Sequence, residues 1–150
     1  MPTIAIASDH AGFALKSMLA DELRTVGHEV LDLGTHGEAS VDYPDYGFSI
    51  GNAVASGDVA YGIAVCGTGI GISIAANRVP GCRAALCTSG LMARLAREHN
   101  DANVLALGSR IVGIEVARDC VYEFLNTAFG AGRHTARVAK FDQQFKEAAE

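Results

Sequence analysis

The chain has 150 residues, 49% hydrophobic and 19% charged, with a formal net charge of -5, which reads as one globular domain over 1–150 and excludes a disordered or fibrous chain. The acidic balance argues against a general nucleic-acid binder, although a small anionic ligand senses only its local site. No uninterrupted apolar run is long enough to span a membrane. The four cysteines, Cys66, Cys82, Cys87 and Cys120, show no C-x-x-C spacing, so neither a zinc ribbon nor a thioredoxin motif has support. Met1-Pro2-Thr3-Ile4-Ala5 runs straight into a strand-like pattern without a charged n-region or cleavage site, and the expected location is the cytoplasm, with reduced thiols.

In chain order, Thr3 to Ser8 is a short β-branched and alanine run, predicted as a buried strand. Gly12 to Val26 has helical spacing, with Phe13, Leu15, Met18, Leu19, Leu23 and Val26 as its apolar stripe. Gly27 ends that helix, and Glu29 to Leu33 resumes as strand. The polar, turn-rich stretch from Gly34 to Asp45 is a loop, followed by a helix to about Ser56. Tyr61 to Cys66 is the third strand, and Gly67-Thr68-Gly69-Ile70-Gly71 opens a helix to about Asn77. Cys82 to Cys87 is a fourth strand, and Ser89 is placed to cap a helix to about His99. Asn103 to Leu107 is the fifth strand. A long helix from Gly113 to Phe129, a Gly- and Arg-containing loop and a last helix from about Val138 complete the chain. Strands alternating with helices predict an α/β sandwich around a parallel sheet covered on both faces.

In such sheets ligands bind beyond the carboxyl ends of the strands, which here means Asp9-His10, Gly34 to Asp45, Gly67 to Gly71, Thr88-Ser89 and Gly108 to Arg110. The glycine loop lets backbone approach a ligand, and a helix start adds unpaired N–H groups, together a site for an anion or oxyanion. It is not a dinucleotide fingerprint, since the pattern is G-x-G-x-G and no acidic residue follows at the ribose distance. A plain strand-to-helix turn is the competing reading. Cys66 adjoins this loop, where neighbouring N–H dipoles favour the thiolate, and a base of that kind suits proton abstraction beside a carbonyl. Cys82, Cys87 and Cys120 read as small buried hydrophobes.

Asp9 serves either as a cap for the first helix or as a ligand contact, and His10 suits a phosphate or sugar hydroxyl. His99, in His99-Asn100-Asp101, either complements a helix C-terminus or acts as a general acid. Arg110, Arg133 and Arg137 form a basic set whose forks match phosphate oxygens. Arg133 and Arg137 share a face if their segment is helical. Asp42-Tyr43-Pro44-Asp45-Tyr46 reads as a helix start whose Tyr43 and Asp45 are possible pocket residues, as is His134.

Taken together these motifs resemble the ribose-5-phosphate isomerase B family, which also holds galactose-6-phosphate and allose-6-phosphate isomerases. The resemblance rests on Ser8-Asp9-His10-Ala11-Gly12-Phe13, Asp42-Tyr43-Pro44-Asp45, and Cys66-Gly67-Thr68-Gly69-Ile70-Gly71 with Asn77 after it. It extends through His99-Asn100-Asp101-Ala102-Asn103-Val104-Leu105, Gly108-Ser109-Arg110 and Gly132-Arg133-His134, from about Thr3 to Val138.

The resemblance implies a three-layer α/β/α Rossmann-like sandwich with a five-stranded parallel sheet. It implies a phosphorylated sugar as substrate, no cofactor and no metal, and a homodimer or homotetramer with shared active sites. By the same resemblance Cys66 is the base that moves a proton between C1 and C2, His99 opens the sugar ring, and Thr68 assists at the developing oxyanion. Asp9, His10, Gly67, Thr68, Gly69, Ile70, Gly71, Asn100, Arg110, Arg133 and Arg137 match binding positions. Arg133 and Arg137 are expected to serve either their own or the neighbouring subunit's site.

Three other readings remain open on the residues alone. They are a non-catalytic phosphate or nucleotide module, a redox-sensing thiol protein, and a metal-dependent isomerase using Asp9, His10 and His99.

Overall fold

A computed structural model describes residues 1–149. Its elements run β1 (Ile4–Ser8), α1 (Phe13–Thr25), β2 (Val30–Asp32), α2 (Tyr43–Ala55), β3 (Tyr61–Cys66), α3 (Ile70–Ala76), β4 (Ala84–Leu86), α4 (Gly90–Asn100), β5 (Val104–Gly108), α5 (Ile114–Leu125), a 3₁₀ turn at Gly132–His134, α6 (Thr135–Ala139) and α7 (Gln143–Ala149). The five strands pair in the order β2-β1-β3-β5-β4, and every pairing is parallel. This is the sandwich expected from the alternation of elements.

Side chains alternate across the three central strands and set the two layers. Ile4, Ile6, Ile63, Val65, Leu105 and Leu107 enter one core with Leu19 and Leu23 of α1, Ala93 and Ala96 of α4, and Cys120 and Phe124 of α5. Ala5, Ala7, Ala64, Cys66 and Ala106 face the other core, with Ile50 of α2 and Ile72 of α3. The second face is lined by smaller residues, so α2 and α3 can lie close to the sheet and to each other. A Cβ on Gly47 would meet the Ala75 methyl at 2.6 Å, so only glycine permits that approach. Cys66 therefore ends β3 pointing toward the α2–α3 layer.

Several boundaries differ from the sequence reading for identifiable reasons. β2 and β4 keep only three residues each because they are the sheet edges. The Asn77 side chain covers the outer edge of β4: its Nδ2 donates to Ala84 O at 3.0 Å and its Oδ1 accepts from Ala84 N–H at 2.7 Å, imitating a further strand. α5 stops at Leu125 rather than Phe129, where Asn126 and Thr127 bond back to the carbonyls of Tyr122 and Glu123. The single last helix expected from Val138 is instead the 3₁₀ turn, α6 and α7. The break between the two helices contains Asp142, whose Oδ1 accepts from Gly81 N–H at 3.0 Å.

One buried charge locks this frame. Lys16 of α1 is 1% exposed, and its Nζ donates to both carboxylate oxygens of Asp32, at 2.7 Å each. Asp32 also accepts from Gly34 N–H. Burial pushes its carboxyl up, but the Lys16 ammonium and the Gly34 N–H outweigh that and hold it below the usual range. The stabilisation is therefore full above the unfolded-state value, about 3.9, and is lost as pH falls through the lower folded value. Asp32→Asn strands the buried ammonium and is expected to cost about 3 kcal/mol at pH 7. Lys16→Met leaves only a partly hydrated carboxylate and should cost clearly less. Urea titrations at pH 7 and pH 3 test both points, and a D32N penalty that persists undiminished at pH 3 would refute the ion pair as its cause.

Candidate active site

Because the sheet is parallel, the carboxyl ends of β1, β3 and β5 deliver three polar segments to one edge. The backbone ties them together. Asp9 N–H donates to Val65 O, Ser109 N–H to Cys66 O, and Arg110 N–H to Gly67 O. Ser109 Oγ donates to Ala11 O.

Within this edge Cys66 is 4% exposed, and its Sγ accepts the Gly69 N–H at 3.1 Å. That bond exists because Gly69 takes a left-handed φ of +78, and a Cβ there would come within 2.5 Å of the Leu86 side chain. A glycine is needed at 69 on both counts. Bare backbone is needed at Gly71, where a Cβ would come 2.5 Å from the Tyr43 ring, while the Arg110 guanidinium lies over Gly67. Thr68 is exposed, and its Oγ1 accepts from Ile70 N–H at 3.1 Å. The loop is thus a rim of glycine backbone around a thiol, with a cation above it and an aromatic ring beside it.

Asp9 is 6% exposed and its Oδ1 accepts from Gly12 N–H at 3.1 Å; Gly12 is itself the N-cap of α1 and no side chain caps that helix, so Asp9 braces the turn ahead of it rather than capping it. His10 Nδ1 accepts from Val41 N–H at 3.1 Å, which fixes the neutral tautomer with its proton on Nε2, a donor. Asp42 is the N-cap of α2, yet its side chain makes no capping bond; Pro44 and Asp45 in the first turn serve that helix start instead. Asp45 is exposed there, while Tyr43 reaches the loop.

The remaining candidates stand at the opposite edge. α4 starts beyond β4 and runs back along the sheet for 11 residues, about 16 Å, so His99 and Asn100 end beside the amino ends of the strands. Arg97 marks the place. Its Nη2 donates to the hydroxyl of Tyr61, the first residue of β3, and its Nη1 to Ala102 O just ahead of β5. Cys66 lies at the far end of β3, about 17 Å from Tyr61 at ordinary strand rise.

At this second edge the His99 and His134 rings stack, with centroids 4.4 Å apart and planes at 18°. Arg133 sits in the same 3₁₀ turn as His134, and Arg137 follows in α6. The His134 imidazole is held below its ordinary range by partial burial, then by the positive charge available on His99, Arg133 and Arg137. The chain thus brings Asp9, His10, Tyr43, Cys66, Gly67 to Gly71 and Arg110 together, and separately His99, Asn100, Arg133, His134 and Arg137. Asp9, His10 and His99 do not meet within it.

Two residues that organise these edges escaped the sequence reading. Lys16 and Arg97 both occupy buried helix faces, Lys16 three residues before Leu19 and Arg97 four after Ala93. A charged residue on an apolar stripe is the signal that could have found them.

The other three thiols have different surroundings. Burial pushes Cys82 and Cys87 up to about 12 and Cys120 up to about 11. Native protein treated with iodoacetamide at pH 8 is expected to take up at most one label per chain, and the Cys66→Ala variant none. Mass spectrometry counts the labels, and two or more on folded protein would contradict the assignment of the other thiols as inert.

A family model described as Ribose/Galactose Isomerase matches residues 4–141. Ribose-5-phosphate isomerase B of Escherichia coli K12 is 48% identical over 138 residues, covering 92% of this chain and 93% of that protein. Among solved structures, ribose-5-phosphate isomerase B of Clostridium thermocellum superposes with a TM-score of 0.95 at 55% identity, covering 97% of this chain and 99% of that one. The Mycoplasma genitalium ribose-5-phosphate isomerase B, solved with bound ribulose-5-phosphate, gives a TM-score of 0.92 at 43% identity over 97% of each chain.

Proposed function

This chain belongs to the ribose/galactose isomerase family, and we propose that it interconverts ribose 5-phosphate and ribulose 5-phosphate through an enediolate. The observation that carries the reading is the Cys66 thiol, buried at the end of β3 and hydrogen-bonded by the Gly69 N–H of a loop made almost wholly of backbone. A thiolate so placed takes the proton from C2 of the open aldose and returns it to C1. Negative charge gathers on the two substrate oxygens between those events. The loop N–H groups not already given to Cys66 Sγ and Thr68 Oγ1, together with the Thr68 hydroxyl, receive it. A single such donor is typically worth about 10²–10³ in turnover, and a placed base about 10²–10⁴.

His10, with its Nε2–H free to donate, and Asp9 hold the sugar hydroxyls. Arg110, lying over Gly67, contributes positive charge at the loop. The phosphate falls to Arg133 and Arg137, with Asn100 near it, and His99, stacked on His134, protonates the ring oxygen so that the furanose opens. These five residues stand a strand length from Cys66 in their own protomer. A second copy must therefore supply them, and the working unit is a homodimer or a larger even assembly with shared sites. Exposed apolar residues on α3, Ile70 at 52% and Ile74 at 53%, flank the thiol loop and give that second copy a surface to cover. The four free cysteines suit a reducing cytoplasm as its place of work.

Mixing two dead variants tests both the chemistry and the assembly. Cys66→Ala and His99→Asn are each expected to fold normally and to lose at least a hundredfold in turnover of ribose 5-phosphate. Co-refolded in equal amounts, they should recover about a quarter of wild-type activity, since half the dimers are mixed and each mixed dimer rebuilds one intact site of two. A mixture no more active than its parents would overturn the shared site. A fully active C66A would overturn the base.

A further inference from the structure

The His99–His134 stack joins two separate elements. His99 ends α4, while His134 closes the 3₁₀ turn, and Gly130 N–H donates to Glu98 O at 2.9 Å to clamp that turn's approach against the helix. Both rings are partly exposed, so each can exchange protons with water or a bound sugar. Two imidazolium rings 4.4 Å apart would repel each other.

We propose that His134 is the positioning residue for His99, the neutral face of a stacked imidazole pair that carries one proton, lodged on His99 for delivery to the ring oxygen of a cyclic substrate. This rests on the assignment of His99 to ring opening.

The charges around the pair favour that arrangement. Glu98, on α4, places Oε1 3.8 Å from His99 Nε2, within ion-pair reach of an imidazolium there. The His134 imidazole is held below its ordinary range first by burial, then by the charge available on His99, on Arg133 in the turn and on Arg137 of α6, which together outweigh the opposing pull of Glu98. An imidazolium is a delocalised cation, and a neutral π face stacked on it is attractive. In the step itself the His99 imidazolium gives its proton to the ring oxygen as the C1–O bond breaks. The C1 hydroxyl releases its proton to water, the carbonyl forms, and neutral His99 is reprotonated from water.

The test compares ribose 5-phosphate, which is cyclic, with an aldotetrose 4-phosphate, which stays open because its C4 oxygen carries the phosphate. His134→Ala is expected to lower kcat for the cyclic substrate about tenfold, to leave KM within about twofold, and to spare the open one. It should also move the alkaline limb of the cyclic-substrate pH profile to lower pH. His134→Phe keeps the face without the charge and should restore most of the turnover. Separately, ring-proton NMR of His99→Phe should show the His134 titration rising toward the ordinary imidazole value, about 6.5.

Equal loss on both substrates, an H134F as slow as H134A, or an unmoved His134 titration overturns the inference. A His99→Asn variant that slows both substrates alike overturns the ring-opening assignment and this inference with it. An H99N that spares only the open substrate, beside an H134A that does not discriminate, overturns this inference alone.

Discussion

Every strand in this protein runs the same way, and that constraint decides where chemistry can be placed. A parallel strand has to be followed by a crossover, so each strand end opens at one edge and each returning helix closes at the other. The thiol loop and its neighbours at β1 and β5 are strand ends, and they converge without long-range design. His99 and Asn100 are the end of a returning helix, and they are carried away from the thiol by the length of α4. A short helix would not cover the sheet, and a helix long enough to cover it cannot end near Cys66. The division of the polar residues into two clusters follows from the fold before any question of function arises, and it is why a second copy enters the reading of the active site.

The thiol cluster depends in turn on small residues. Ala5, Ala7, Ala64 and Ala106 let the α2–α3 layer sit close to the sheet, and Gly47 lets the two helices meet. This brings Tyr43, at the start of α2, against Gly71 at the start of α3. The other core, lined by leucine, isoleucine and Phe124, is the bulky side and anchors α1, α4 and α5. The sheet is thus asymmetric: one face supplies the larger apolar burial, and the other sacrifices volume so that backbone can surround a thiol.

Much of this was legible in the chain. β3 reads correctly from end to end, because its apolar run is bounded by Gly57-Asp58 before and the glycine loop after. The start of α4 reads correctly because Ser89 is a strong cap; its Oγ accepts from Met92 N–H at 3.2 Å. The strand-end rule located Asp9, His10, Cys66 and Arg110 on one edge without any knowledge of distance. What did not come through depends on partners remote in sequence. The shortness of β4 follows from the Asn77 side chain standing in for a strand. The break before α7 contains Asp142, which bonds Gly81, 61 residues earlier. The His99–His134 stack spans 35 positions, and no local pattern announces it.

Arg97 shows why the distal cluster can act as a unit. It is 5% exposed, and its guanidinium lies 4.8 Å from the Tyr61 ring centroid and 5.8 Å from that of Phe124. Its Nε donates to Thr127 O, its Nη1 to Asp101 Oδ1 and Ala102 O, and its Nη2 to the Tyr61 hydroxyl. One side chain thereby ties the end of α4, the start of β3, the entry to β5 and the segment leaving α5. Asp101 also bonds Arg83, so both of its neighbours are cations and the carboxylate is shared between them. A buried guanidinium is tolerable only when its donors are satisfied, and here they are satisfied by the Asp101 carboxylate, the Tyr61 hydroxyl and the carbonyls of Ala102 and Thr127. Arg97 thus acts on this cluster without belonging to it, by fixing the end of α4 against the segment that leaves α5.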